Sequence, residues 1–372
     1  MEHYAAGLAD ALLSQAFVRL TFVDVPAGQH VASSLAASVE SFRRIGVPNR
    51  LLEKYNGPAH QRRARKIAVR DDSSIVHFIN RGACLPGMIA ALEKIGRRTV
   101  YTIHDPVPHE EHRSKWTELV DAFYWNRQVP RIIALSSKIH VHSEKHRAVL
   151  VARYGEWCAH KIYVVQHGAS LSKEIGAGRD VPKELEGLDR SRPVVLFFGR
   201  IEPYKGLQLL IDAARMLRTA GRSIQIIIAG SGSVEGYDGL CEDGIVLINR
   251  YIPDSEIKEL FGASDILVLP YLTATQSGVV PLAYLLGKAV VATNVGAIEE
   301  IVIDGVTGRL VEPQDATRLA RAMEDVLSDQ ELLERLSAGA RQFALGALGE
   351  DVVARAHVKE YMSTIRLGDE VR

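Results

Sequence analysis

A chain of 372 residues, 47% hydrophobic and 24% charged, is long enough to bury two domain cores and too evenly mixed to be disordered or low in complexity. Its formal net charge of zero conceals an asymmetry, because residues 1–185 carry 26 Lys and Arg against 18 Asp and Glu while residues 186–372 carry 19 against 27. Cys84, Cys158 and Cys241 are too scattered for a CxxC site or a disulfide framework, which suits a reducing, cytoplasmic compartment.

The opening "MEHYAAGLADALLSQ" has an acidic second residue and no basic n-region, so it does not read as a signal peptide. No apolar run approaches the ~18 residues of a membrane span, so any membrane contact is expected to be peripheral. Short apolar runs then alternate with amphipathic stretches: "VRLTFVDV", "SIVHFIN", "RTVYTIHD", "KIHVHS", "KIYVVQHG", and after a polar interval "PVVLFFGR", "SIQIIIAG", "GIVLINRY", "DILVLPY" and "AVVATNVG". Val- and Ile-rich runs without strict alternation are strands buried on both faces, and intervening helices make the sheets parallel. The expected class is α/β, with two Rossmann-like doubly wound domains: residues 1–178, a linker at 179–192, residues 193–345, and a C-terminal helix within 346–372 packing back on the first domain. The chain opens on a helix where such a domain needs a strand, so the first strand of the N-terminal domain is expected to be missing.

In sheets of this kind ligands sit beyond the carboxyl ends of the strands. After "VVLFF" come Gly199, Arg200 and Lys205. Two cations in one connecting loop suit a diphosphate, Arg as a bidentate partner and Lys as a movable point charge. Gly230 and Gly232 follow the next strand and permit close backbone approach, while the backbone of Arg250, Tyr251 and Ile252 suits a nucleobase edge. Thr275, Gln276, Ser277, Gly278 and Val279 form a small polar turn before a helix, a place where backbone amides can meet an anion. In the first half His104 follows a buried strand, positioned to hydrogen-bond a ligand hydroxyl; His140, His142 and His167 read as histidines satisfied by their neighbours. His104, His109 and His112 share a loop without convincing metal-ligand spacing, so no metal is expected.

"FFGRIEPYKGLQLLIDAARML", "IIIAGSG", "YIPDSEIKELFGASDILVLPY" and "GKAVVATNVGAIEEIVIDGVTGRLVEPQD" together resemble the donor-nucleotide domain of retaining GT-B-type glycosyltransferases of family 4, strongly over residues 190–345. "YTIHDPVPHEEH" and "VVQHG" are similar, more loosely, to the acceptor-side domain of that family. The resemblance implies transfer of a sugar, with retention, from a nucleoside-diphosphate donor to a hydroxyl of a carbohydrate or lipid-linked acceptor in glycan or polysaccharide assembly. It implies no metal or other cofactor and no nucleic acid, and it makes Arg200 and Lys205 the diphosphate pair and His104 the histidine near the donor sugar. Such enzymes carry two glutamates eight apart, one at the turn and one on the following helix; here Thr275 or Gln276 stands at the first position and Ala283 or Tyr284 at the second. The competing expectations are a non-catalytic nucleotide-sugar-binding relative and a nucleotide-sugar epimerase. The basic segments "FRRIGVPNR" and "HQRRARK" add an expectation of peripheral contact with anionic membranes at the cytoplasmic face.

Overall fold

The computed structural model describes residues 74–79, 85–106, 115–169, 171, 175, 177–240, 242 and 244–369. The expected opening helix, the strand "VRLTFVDV", the missing first strand and both basic segments lie outside these residues. The chain divides into two compact units, the first ending at Gln166 and resuming at Asp351, the second running from His167 to Glu350.

In the first unit β1 (Ile75–Phe78), β2 (Arg98–Thr102), β3 (Lys138–Val141) and β4 (Ile162–Val164) lie side by side in that order, each pair parallel. Helices α1 (Leu85–Lys94), α2 (Lys115–Phe123), α3 (Val129–Leu135) and α4 (Glu144–Tyr154) fall between them in sequence, as parallel pairing requires. Alternate strand residues serve two cores. Tyr101, Ile139, Val141 and Ile162 pack with Ile89, Trp125 and Ile132, whereas Val100, Tyr163 and Val165 pack with Val353 and Ala354 of the C-terminal helix Glu350–Asp369.

The second unit reads β5 (Val194–Phe198), α5 (Leu207–Thr219), β6 (Gln225–Ala229), β7 (Ile245–Ile248), α6 (Asp254–Gly262), β8 (Ile266–Leu269), α7 (Val279–Leu285), β9 (Ala289–Thr293), β10 (Gly308–Val311), α8 (Ala316–Ser328) and α9 (Gln330–Leu345), and the C-terminal helix is α10. Its six parallel strands run β10-β9-β8-β5-β6-β7. Leu196, Ile227 and Leu267 face one core and Val195, Ile226 and Ile266 the other. Burial on both faces is why these strands appear as unbroken apolar runs. The chain winds from β5 outward to β7 and then returns to the far side of β5 at β8. The chain therefore leaves β5 and β8 toward opposite sides of the sheet, and the loops after these two adjacent strands stand at the point where such sheets leave a ligand crevice.

One boundary differs from expectation. Residues 179–192 are no free linker: Leu185 and Leu188 are buried in the second unit's core, and Gln225 bonds both the amide and the carbonyl of Asp189. The second unit closes with α8 and α9 as two separate helices, because Asp315 and Asp329 each cap a new start by accepting from the amides of Arg318 and Leu332.

Candidate functional site

The loops after β5 and β8 are bound to each other. Gly206, at φ +67°, lies so close to the carbonyl of Pro270 that a Cβ would overlap it, and the amide of Leu272 donates to the Tyr204 carbonyl at 2.8 Å. Between these contacts sits Lys205, only 8% exposed. Its ammonium donates to the Tyr271 hydroxyl at 3.3 Å and lies 5.0 Å from that ring's centre. Tyr271 Oη is in turn 3.3 Å from Ser277 Oγ. Among the described residues no carboxylate lies within ion-pair distance of Lys205. Burying an ammonium against neutral oxygens alone is costly, so an anion placed beside it would be strongly stabilising.

Gly199, with φ +117°, keeps the space above the ammonium open: a Cβ there would stand 3.1 Å from Lys205 Nζ and 4.0 Å from Val279 Cγ2. Gly199, Lys205, Ser277 and Val279 are thus brought together from two loops. The first amides of α7 make no bond within the helix, as at any helix start. Arg200 is displayed differently, with its side chain 67% exposed and its guanidinium 2.7 Å from Glu202 Oε1. Burial, then the Glu202 carboxylate, pushes the neighbouring Tyr204 phenol up to about 12, so it remains a neutral hydroxyl.

The turn after β8 is held from the other side by the loop after β9. Ala297 donates its amide to the Thr275 carbonyl at 3.0 Å, and Thr293 Oγ1 donates to the Tyr271 carbonyl at 2.6 Å. Thr275 and Ser277 are buried, Gln276 half-buried and Gly278 exposed. His167 comes close to this turn, its ring 3.9 Å from where a Cβ on Gly278 would stand.

Several expected site residues have other duties. Tyr284 is fully buried and its hydroxyl bonds Thr307 Oγ1 at 2.7 Å and the Ile301 carbonyl at 3.1 Å, so it belongs to the core. Ala283 is equally buried. Neither side chain is available to a ribose. The close approach at Gly230 and Gly232 is made by the chain itself, since Cβ atoms there would collide with the carbonyls of Gly199 and Ile201. Arg250 spends its guanidinium on Glu184 at 3.0 Å and Glu256 at 2.8 Å, and the bond to Glu184, then that to Glu256, holds it above its ordinary pKa. The Arg250 amide donates to the Ile248 carbonyl at 3.0 Å, so what Arg250 offers a ligand is its carbonyl, beside an exposed Tyr251 and a buried Ile252.

In the first unit His104 Nε2 donates to the Ile79 carbonyl at 2.9 Å, leaving Nδ1 to accept from His142 Nε2 at 3.0 Å. Both nitrogens are engaged, so contact with a sugar hydroxyl would mean exchanging one of these bonds. A second chain runs behind the sheet. The Val165 carbonyl can only accept, so His140 gives it the Nε2 proton at 3.0 Å and takes the Thr102 hydroxyl proton on Nδ1, also at 3.0 Å. Thr102 accepts from His77 Nε2 at 2.7 Å, and His77 Nδ1 accepts from the Tyr361 hydroxyl at 2.6 Å. Beside this chain His357 Nδ1 and Tyr163 Oη share a hydrogen bond at 3.1 Å. Burial, then the charge of His357, holds His77 and His140 well below the usual histidine range, and burial alone brings His357 down to about 3. His109 and His112 lie outside the described residues.

Residues 192–329 match the family described as "Glycosyl transferases group 1", and residues 1–173 match "Glycosyltransferase Family 4". The chain belongs to the family 4, group 1 glycosyltransferases. It is 31% identical over 182 residues to the alpha-D-kanosaminyltransferase of Streptomyces kanamyceticus, covering 46% of each chain. It is 29% identical over 226 residues to the D-inositol 3-phosphate glycosyltransferase of Rhodococcus opacus, covering 58% of this chain and 50% of the relative. The chain thus spans about half the length of the curated relatives it matches. Two solved structures share its fold, the two-domain α/β class of GT-B glycosyltransferases. Anabaena Alr3699/HepE in complex with UDP-glucose has TM-score 0.63 and 20% identity over 89% of this chain and 88% of that one. A glycosyltransferase from Rickettsia africae has TM-score 0.66 and 18% identity over 89% and 87%.

Within this family 4 chain, one residue of the site escaped sequence reasoning. Tyr271 obeys the same rule as the others by following β8 directly, but a strand-end tyrosine in an apolar run carries no chemical flag, and only its distances to Lys205 and Ser277 reveal it. No described helix is long and apolar enough to cross a membrane.

Proposed function

We propose that this protein is a glycosyltransferase that takes its sugar from a nucleoside-diphosphate donor held by the second unit. The observation that carries the reading is the buried Lys205 ammonium, which has no carboxylate partner among the described residues, at the strand-order reversal of a Rossmann-like sheet. A solved structure of the same fold holds UDP-glucose, which supports a donor of that class.

On this reading Lys205, Arg200 and the amides of Ser277 to Val279 take up the charge that grows on the nucleoside diphosphate as the glycosidic bond breaks, and the acceptor hydroxyl attacks the anomeric carbon. Arg200 must leave Glu202 or share it to reach the phosphates. With two cations supplying the positive charge, a divalent ion has no required part, and the family resemblance favours retention. His104 keeps the sugar-side role that the resemblance gives it. The missing carboxylates at Thr275 or Gln276 and at Ala283 or Tyr284 leave sugar and ribose recognition to hydroxyl, amide and backbone groups.

Calorimetric titration with UDP, GDP and ADP tests the site. Arg200→Ala and Lys205→Ala should each weaken diphosphate binding about 10- to 100-fold, the loss of one charge-assisted contact. Wild-type affinity in both variants would dismiss the clamp. Product stereochemistry by NMR decides retention, and activity lost to a chelator and restored by magnesium or manganese would overturn metal independence. Sedimentation with anionic and neutral vesicles at low salt tests the membrane contact.

A further inference from the structure

We infer that Tyr271 is the positioning residue of this site: its hydroxyl joins Lys205 on the loop after β5 to Ser277 on the turn after β8, setting ammonium and serine hydroxyl as a pair for one diphosphate. The inference rests on the proposed donor site and goes beyond it in naming what assembles the two loops.

Tyr271 is itself held firmly. It is 2% exposed, its carbonyl accepts from Thr293 Oγ1 at 2.6 Å, and its ring lies 6.3 Å from that of Tyr204. A phenol has one proton and two acceptor positions. Lys205 donates into the oxygen at 3.3 Å; the bond between the phenol and Ser277 Oγ, at the same distance, can run either way, and an anion beside the ammonium favours the phenol as its donor. Ser277 then has its own proton to give. One phenol thereby holds two donors, an N–H of Lys205 and the O–H of Ser277, and Gly199 leaves space open beside the ammonium. A lysine stem has four rotatable bonds, and a serine hydroxyl spins freely. Anchoring both before a ligand arrives removes ordering cost from binding. The ring face beneath the ammonium adds a second restraint at 5.0 Å.

A purely structural tyrosine would stabilise the fold without touching ligand affinity through Lys205 or Ser277. The test therefore combines variants. Titration of the full chain with UDP, GDP and ADP identifies which nucleotide binds; the same nucleotide is then titrated into Tyr271→Phe, Ser277→Ala, Lys205→Met and the double variants. Tyr271→Phe keeps the ring and should weaken binding about tenfold, the worth of one lost hydrogen bond. In the Ser277→Ala or Lys205→Met background the further loss should shrink to less than about threefold, because the phenol then has only one partner left to set. Undiminished affinity in Tyr271→Phe, or equal losses in every background, overturns the positioning role while the donor site stands. Failure of the wild-type chain to bind any of the three nucleotides removes the donor site and this inference together.

Discussion

The Tyr361 hydroxyl and His77 Nδ1 are 2.6 Å apart, a hydrogen bond that ties the last helix to the first described strand across 284 positions of sequence. It begins a chain of neutral groups through Thr102 and His140 to the Val165 carbonyl, in the face of the first sheet that α10 covers. Around it stand His357 and Tyr361 of α10, Tyr163 of β4, and His142 and His104 near the strand ends; Lys138 and Glu360 pair nearby at 3.5 Å.

The first prediction follows from that neutrality. His77, His140 and His357 all have folded pKa values below the unfolded value of about 6.5. The unfolded chain therefore binds more protons below pH 6.5, so their contribution is complete above that pH and is lost as pH falls from 6.5 toward about 3 for His357. Each histidine contributes a slope of about 1.4 kcal/mol per pH unit in that window. All three tryptophans, Trp116, Trp125 and Trp157, lie in the first unit, so tryptophan fluorescence follows its unfolding alone. The urea midpoint should fall steeply between pH 6.5 and 5, and His357→Gln should flatten that slope by about one proton. An unchanged slope would remove His357 from the account.

Lys205→Met should separate stability from binding. It replaces a buried ammonium that has no carboxylate among the described residues with an apolar chain of similar length. Without nucleotide, the thermal midpoint of the second unit should rise, by the equivalent of about 1 kcal/mol, while diphosphate affinity falls about 10- to 100-fold. A fall in that midpoint would mean that the fold itself depends on the ammonium.

Tyr284→Phe should do the reverse. It takes the partner from the Thr307 hydroxyl proton and from the Ile301 carbonyl in the core, costing about 1–3 kcal/mol of stability in chemical denaturation, while Thr307 Oγ1 still accepts from the Ile303 amide. Nucleotide affinity should stay as in the wild type. A selective loss of affinity would return Tyr284 to the ligand site.

Gly199→Ala tests the opening over Lys205. At φ +117° the new side chain is strained by about 1–3 kcal/mol, and its methyl stands 3.1 Å from Nζ. Both the thermal midpoint and diphosphate affinity should fall, and affinity unchanged at a lowered midpoint would show that no ligand uses that space.

The α/β class, the two parallel sheets and the strand ends that matter were legible in the sequence, because strands buried on both faces need unbroken runs such as "VVLFF" and "IQIIIA", and polar or glycine residues must follow where the chain turns. Gly199, Arg200, Lys205 and the turn at 275–279 were found in this way, each from its own neighbours. What those residues face is decided by contacts between segments far apart in the chain. Strand pairing put the β5 and β8 loops together, so that Lys205 meets Tyr271 across 66 positions, and turned Tyr284 inward to Thr307. It also spent Arg250 on Glu184, and set Gly230 against the carbonyl of Gly199. A local pattern records which side chains are chemically able to act; burial and hydrogen-bond partners, which only the folded chain supplies, decide which of them remain available.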